Sequence, residues 1–461
     1  MLGTGLIFRA IARFMAVLTA VMSVALTAAQ AQDAARSMPL IRDAEIEGLL
    51  RLYTRPIFKA AGINPSAVKV YVISDRRINA FVAGGQRIFI NTGLLLQSDT
   101  PNEVIGVLAH ETGHIAGGHL ARMGVEIDSA NYTSIIGMLL GLAAIAGGVA
   151  AGNAEVAQAG QGIMMGTKGL AQRNFLTYAR GMEASADQAA LKYLNATHQS
   201  AKGMITLFDT LARENLVALA DVDPYVLSHP MPVDRIHNLE LAAEKSPYWN
   251  TKDPPALILR HQLVQAKLTG YIGGAQAVMQ KYPSADQSMP ARYARAIAMF
   301  RKGDIRNALT IIDGLTAELP ENPYFWELKG QALLENGRAA EAVAPVQKAL
   351  TLLPNNGLIQ ILAAQAYIDT DKPDNAKAAI KLLKQAQRSE GETPETYMLL
   401  ARAYAQTGDI PRAELATAQS ALLRGDKKLA MEKARSAQSQ FKMGTPEWIR
   451  ANDVLTFAGH K

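Results

Sequence analysis

His110-Glu111-Thr112-Gly113-His114 is the stretch of this 461-residue chain that decides its fold. The helix carrying it has a legible start. Thr100 is a candidate N-cap, Pro101 takes the first helical position, and Glu103 completes a capping box. Val104, Ile105, Val107 and Leu108 carry an apolar face into the motif. Residues four apart lie about 40° apart around a helix, so His110 and His114 share one face. Two neutral imidazoles at that separation can grip one Zn²⁺ at about 2.0–2.1 Å. Glu111 lies about 100° round from His110 and can reach water on the metal without joining the ligands. Zinc makes such water acidic enough to lose a proton near neutral pH, and Glu111 is placed to take it as general base. Three fixed positions also arise by chance on surface helices. Here the motif follows an apolar face, and six of the eight histidines lie between residues 110 and 237, which favours a metal centre.

A catalytic zinc needs a third protein ligand and an open position. His119 is a tempting third ligand, because the run from His110 nearly fits the metzincin pattern HExxHxxGxxH. That pattern requires histidine at 120, where this chain has Leu120. If the helix continues, His119 points about 180° away from His110 and does not ligate. Glu183 is the better candidate. It sits with Asp187 in a helical segment running on through Leu191 and Tyr193, and the spacing of four puts both carboxylates on one face. On a metal face, one acid ligates and the other orients a histidine N–H; spacing alone equally allows a solvated acidic face.

Other segments read as follows. Val68 to Ile73 has a strand pattern, and Asn79–Val82 with Arg87–Ile90 around Gly84-Gly85 has that of a hairpin. An extended substrate could pair its backbone with the Phe81–Ile90 hairpin, although an ordinary buried strand fits those residues as well. Lys252-Asp253-Pro254-Pro255 breaks regular structure and marks a domain boundary. Beyond it, Gly303, Ala308, Ile312, Leu315 and Pro320 recur 34 residues on as Gly337, Ala342, Val346, Ala349 and Pro354. Further copies hold Ala364, Tyr367, Ala376 and Ile380, then Ala401, Tyr404, Gly408 and Ala413, with a weaker copy at Gly270, Ala275 and Pro283. Small residues at this period, where paired helices touch, resemble the tetratricopeptide repeat. The expected architecture is an α+β zincin-like metalloprotease domain over residues 37–248, followed by an all-α tetratricopeptide-repeat solenoid over residues 256–460.

Composition narrows the setting. Hydrophobic residues make up 49% of the chain and charged ones 19%, with a formal net charge of +6 and no cysteine. Disulfides and thiolate ligands are thereby excluded. The charges are mixed without a long basic run, which gives nucleic-acid binding no support. Residues 1–31 read as a cleaved secretory signal: Arg9 and Arg13, the apolar run Met15–Leu26, and the small-x-small site Ala29-Gln30-Ala31. Without Arg9 and Arg13, 45 basic residues face 41 acidic ones, or +4. Residues 135–152 carry no charge but five glycines, and fit an apolar helical hairpin that covers the active site or dips into a membrane surface.

HExxH followed about seventy residues later by ExxxD resembles the gluzincin metallopeptidases of the HtpX and BepA type. Asn79-Ala80-Phe81, Gly85, Ile88 and Gly93-Leu94-Leu95 are similar to that family's strand segment before the motif helix, and Ser228-His229-Pro230 with Arg235 to its late His-Pro…Arg element. Ser185 and Ala190 depart from the acidic and glycine residues common around ExxxD. The resemblance implies one zinc per chain held by His110, His114 and Glu183, with Glu111 as base and Asp187 as an active-site acid. It also implies that His229 can occupy the open zinc position as a latch, although a plain loop histidine fits the residues too. Arg235 either positions this loop or steadies the oxyanion. Together with the signal and the repeats, the resemblance implies a periplasmic protease and chaperone. Its clients would be unfolded or misassembled outer-membrane proteins, and its repeats would meet the β-barrel assembly machinery. A binding protein with a latched zinc site and an integral membrane quality-control protease are the rival readings.

Overall fold

The computed structural model describes residues 39–83, 85–119, 169–217, 229 and 233–459. The signal segment, residues 135–152, Ser228 and Pro230 lie outside the described residues.

The first half is a small sheet packed on helices. Helix α1 (Ala44–Ala60) is capped by Asp43, whose carboxylate accepts from the backbone N–H groups of Glu45 and Ile46. The strands are β1 (Leu40–Ile41), β2 (Lys69–Ile73), β3 (Ala80–Ala83) and β4 (Arg87–Asn91), in spatial order β1-β2-β4-β3. The hairpin expected around Gly84-Gly85 is β3–β4, antiparallel, with Phe81 opposite Phe89. The parallel pairing of β2 with β4 puts β3 at the sheet edge. Strand alternation sends Val72, Ile88, Ile90 and Ala80 into the core. On the other face, Tyr71, Phe89 and Phe81 stack in line, with ring centroids 5.3 and 5.2 Å apart.

Short α2 (Thr92–Gln97) leads to the motif helix α3 (Pro101–Ala116). The expected capping box forms only in part. Glu103 Oε2 accepts from the Asp99 N–H at 2.9 Å, while the Thr100 side chain caps no backbone group and turns to Glu103 instead. Helices α4 (Gly169–Ala196), α5 (Lys202–Val217) and α6 (Val233–Ala243) complete this half. Gly113, inside the motif, shows why α3 and α4 can meet so closely: a Cβ there would lie 2.8 Å from the Ala186 carbonyl oxygen. That contact falls between Glu183 and Asp187, so it brings the two acids up to the histidines.

The second half is helical throughout its described residues. It runs α7 (Pro255–Leu268), a wide π-helical turn (Thr269–Gly273), α8 (Gly274–Lys281), α9 (Met289–Arg301), α10 (Ile305–Glu318), α11 (Pro323–Glu335), α12 (Ala339–Leu352), α13 (Gly357–Ile368), α14 (Pro373–Glu390), α15 (Pro394–Gln406), α16 (Ile410–Leu423), α17 (Lys427–Gln440) and α18 (Pro446–Gly459). The 34-residue period has a packing cause: Ala308, Ile312 and Leu315 on α10, and Ala342, Val346 and Ala349 on α12, are all fully buried. The two halves are joined by polar contacts as well as apolar ones. The Tyr53 hydroxyl meets His261 Nδ1 at 3.0 Å, and Gln265 donates to the carbonyls of Leu95 and Ser98. Lys267, buried, reaches Asp43 at 2.7 Å.

Candidate metal centre

Four side chains from two helices and one position outside them converge on one point: His110 and His114 from α3, Glu183 from α4, and His229. His110 Nε2 lies 3.0 Å from His114 Nε2 and 3.4 Å from His229 Nδ1. Glu183 closes the figure. Its oxygens lie 3.4 Å from His110 Nε2, 3.3 Å from His114 Nε2 and 3.1 Å from His229 Nδ1. A tetrahedral zinc with bonds near 2.0–2.1 Å has ligand-to-ligand edges of about 3.3 Å. The donor atoms therefore already stand at the spacing of such a set, with His229 at the fourth corner.

The outer nitrogens explain why the inner ones are bare. His110 Nδ1 lies 3.0 Å from Asp187 Oδ1; a neutral ring with its proton on Nδ1 would turn the Nε2 lone pair inward, and a bound cation competes with any proton there. His114 Nδ1 meets His119 Nδ1 at 2.9 Å. His229 Nε2 lies 3.4 Å from Glu111 Oε1. Lone pairs and a carboxylate converging in a buried space call for a cation, and the chemistry of this donor set fits zinc.

The charges follow the same logic. Burial pushes Glu183 upward, but hydrogen bonds from His110, His114 and His229 outweigh it and hold the carboxyl well below the usual range. Burial likewise raises Asp187, and Arg235 with His110 outweighs it, bringing it down to about 2. Burial disfavours a charge on His110; Asp187 and Glu183 outweigh that and raise it to about 9. For His114 and His229 burial prevails and their pKa values fall, so both present neutral imidazoles. Glu111 is fully buried, and neither of its oxygens has a hydrogen-bond partner among the described residues. Burial lifts it to about 7 against the pull of His110 and His114. Such a carboxyl can exchange a proton near neutrality.

The structure brings His110, Glu111, His114, Glu183, Asp187, His229 and Arg235 together. His119 stands outside the ligand cluster but not where helical continuation would put it. Helix α3 stops at Ala116, Gly118 takes a left-handed φ of +62°, and the chain folds His119 back onto His114. Arg235 reaches across to α4. It donates from Nε and one terminal nitrogen to both oxygens of Asp187, at 2.7 and 2.8 Å, and its other terminal nitrogen lies 2.9 Å from Glu183. It straps the two acids of α4 in place. Two further contacts carry no sequence signal: Phe208 of α5 sets its ring edge-on to His110 at 5.8 Å and lies beneath the Arg235 guanidinium at 5.7 Å.

Residues 42–243 match the model of peptidase family M48, and residues 293–357 and 362–440 that of a tetratricopeptide repeat. The chain is similar to the beta-barrel assembly-enhancing protease of Yersinia pestis, 26% identical over 433 residues, covering 90% of this chain and 83% of that protein. The protein of the same name from Escherichia coli (strain K12) is 22% identical over 430 residues, with the same coverage of each chain. A 108-residue stretch is 35% identical to protease HtpX of Salmonella newport (strain SL254), covering 23% of this chain and 36% of that one. The chain is therefore a metallopeptidase in which a region matching peptidase family M48 is followed by tetratricopeptide repeats.

Proposed function

We propose that this chain is a periplasmic zinc endopeptidase and chaperone that promotes assembly of outer-membrane β-barrel proteins and degrades misassembled ones. The single observation that carries the zinc chemistry is the set of donor atoms at tetrahedral spacing around one point. The client class is supported by the name of the relatives that share about nine-tenths of this chain. Repeats of this kind form extended surfaces suited to a protein partner, here the β-barrel assembly machinery.

His110, His114 and Glu183 would hold the zinc, one ion per chain. When bound, zinc supplies Lewis acidity that polarises the scissile carbonyl and acidifies water. Glu111 would take a proton from the attacking water and return it to the departing amine. Asp187 and Arg235 act on position: Asp187 fixes the His110 tautomer, and Arg235 holds Asp187 and Glu183 in register. Strand β3 is the element to receive substrate. Among the described residues it pairs only with β4, and it packs beside α3. An extended peptide added to that edge gains backbone hydrogen bonds with little dependence on sequence. A peptide with proline at alternate positions lacks the N–H groups for this pairing. Its kcat/KM is expected to fall by about tenfold or more relative to an alanine counterpart, at ~1 kcal/mol per lost bond. Equal rates would remove strand pairing from the account.

A second reading, a binding protein with a closed zinc site, is favoured by the position of His229 at the fourth corner. A fourth protein ligand displaces the water that hydrolysis requires, so His229 would act as a latch. His229→Ala keeps three ligands and opens the fourth position. Casein cleavage is expected to rise by about tenfold, what a latch worth ~1.4 kcal/mol holds back. Unchanged or lost cleavage would count against the latch. No helix among the described residues is long and apolar enough to cross a membrane. Residues 135–152, proposed to cover the site or touch a membrane surface, are not among them.

A further inference from the structure

The corner that launches the motif helix is completed by residues from outside the peptidase region. Helix α2 ends at Gln97 and α3 begins at Pro101. Each helix end leaves backbone groups without intrahelical partners: carbonyls at the end of α2, N–H groups at the start of α3. The carbonyls of Leu95 and Ser98 accept from the Gln265 side chain at 2.9 and 2.8 Å, and that of Leu96 lies 3.4 Å from Lys281 Nζ. Across the corner, the Asn102 N–H donates to the Asp253 carboxylate at 3.0 Å. Thr100, which has the spacing to cap α3, makes no such bond. Asp253, Gln265 and Lys281 all lie beyond the stretch 42–243 that matches the peptidase family.

The place of Asp253 has a local cause. Pro254 and Pro255 follow it, and a proline holds the residue before it extended. Pro255 opens α7, so the carboxylate rides on the rigid start of that helix. Buried His261 of the same helix faces the same corner, with Nε2 3.2 Å from the Ser98 hydroxyl. Asn102 also ties α3 to the start of α5. It accepts from the Gly203 N–H and donates to the Ser200 carbonyl, both at 2.7 Å. A Cβ on Gly203 would come within 2.6 Å of the Asn102 side-chain oxygen. From Asn102 to His110 is about 12 Å of continuous helix. A displacement of the first turn is therefore carried along α3 to His110 and Glu111.

We infer that Asp253 is a positioning residue for peptide hydrolysis, through which, together with Gln265, the repeat half sets the place of the motif helix. A capping aspartate supports a helix start by its hydrogen bond and by its charge at the positive end of the helix dipole. Without it the Asn102 N–H loses its partner and the first turn of α3 is free to shift. A misplacement of about 1 Å at reacting groups can cost roughly 10²-fold in rate.

The test uses the full-length chain, with kcat and KM for labelled casein referred to bound zinc, and amide exchange followed across residues 101–116. Asp253 is half-buried, and its truncation should leave the circular dichroism spectrum unchanged. Asp253→Ala is expected to lower kcat by about tenfold, the cost of a fraction of that misplacement. KM should stay within about twofold, as for an interaction that acts only in the transition state. Amide exchange in the first turns of α3 should quicken. Asp253→Asn keeps an acceptor oxygen and should restore kcat to within about twofold. Gln265→Leu opens the corner from the α2 side and should show the same split as Asp253→Ala. Arg42→Gln removes the contact of Arg42 with Glu390, which joins the two halves away from this corner, and should keep the wild-type kcat. An unchanged kcat per zinc in Asp253→Ala or Gln265→Leu, a change in KM alone, or unaltered amide exchange would overturn the proposal. So would failure of asparagine to restore the rate, or an equal loss in Arg42→Gln.

Discussion

Glu111→Gln is expected to cut peptide hydrolysis by about 10²–10⁴-fold while leaving the zinc content at the wild-type level. The side chain sits fully buried next to the ligands, yet it is not one of the four converging donors. Its carboxylate oxygens have no hydrogen-bond partner among the described residues, which is a costly arrangement unless something else uses them. Burial raises its pKa to about 7, the value that suits a group taking and returning a proton near neutral pH. Glutamine matches the shape and loses the basicity. Casein cleavage and metal content, measured on the same preparation, separate the two properties. A variant that cleaves normally would remove Glu111 from the chemistry. One that loses its zinc would make it a ligand.

Glu183→Ala is the second large effect, and it acts on the metal rather than on the proton. Among the described residues, Glu183 is the one carboxylate that touches His110, His114 and His229 together, at 3.4, 3.3 and 3.1 Å. Removing it leaves neutral imidazoles converging with no negative charge among them, and frees a terminal nitrogen of Arg235 held 2.9 Å away. A buried cation then stands where a second cation has to bind. Loss of an outer partner typically costs about 10–100-fold in metal affinity, and loss of a charged ligand costs more. The variant should purify with little zinc, and its cleavage of casein should disappear with the metal.

Much of this site was legible because helical spacing carries it. His110 and His114 at i and i+4, and Glu183 and Asp187 at the same separation, each define a face before any fold is known. The repeats were legible for a similar reason, since Ala308 and Ala342 recur at one spacing and fill the same kind of helix contact. What escaped was tertiary. The angular argument for His119 assumed that α3 continues. The pair Gly117-Gly118, a common way to end a helix, was the signal that it does not, and it allows His119 to turn back onto His114. Arg235 stands 48 residues from Asp187, and no local pattern announces that its guanidinium spans both acids. The edge position of β3 depends on β4 pairing parallel to β2, a choice made by the whole sheet rather than by the hairpin. The partial capping box is a smaller case: Thr100 and Glu103 have the right spacing, but Glu103 reaches Asp99 instead.

The most direct measurement of the central claim is zinc per chain in purified wild-type protein, Glu111→Gln and Glu183→Ala, each assayed on casein in parallel. One zinc with cleavage, one zinc without cleavage, and little zinc without cleavage are the expected results in that order. Undiminished zinc in Glu183→Ala would contradict the account, because the carboxylate that closes the tetrahedron would then not be holding the metal.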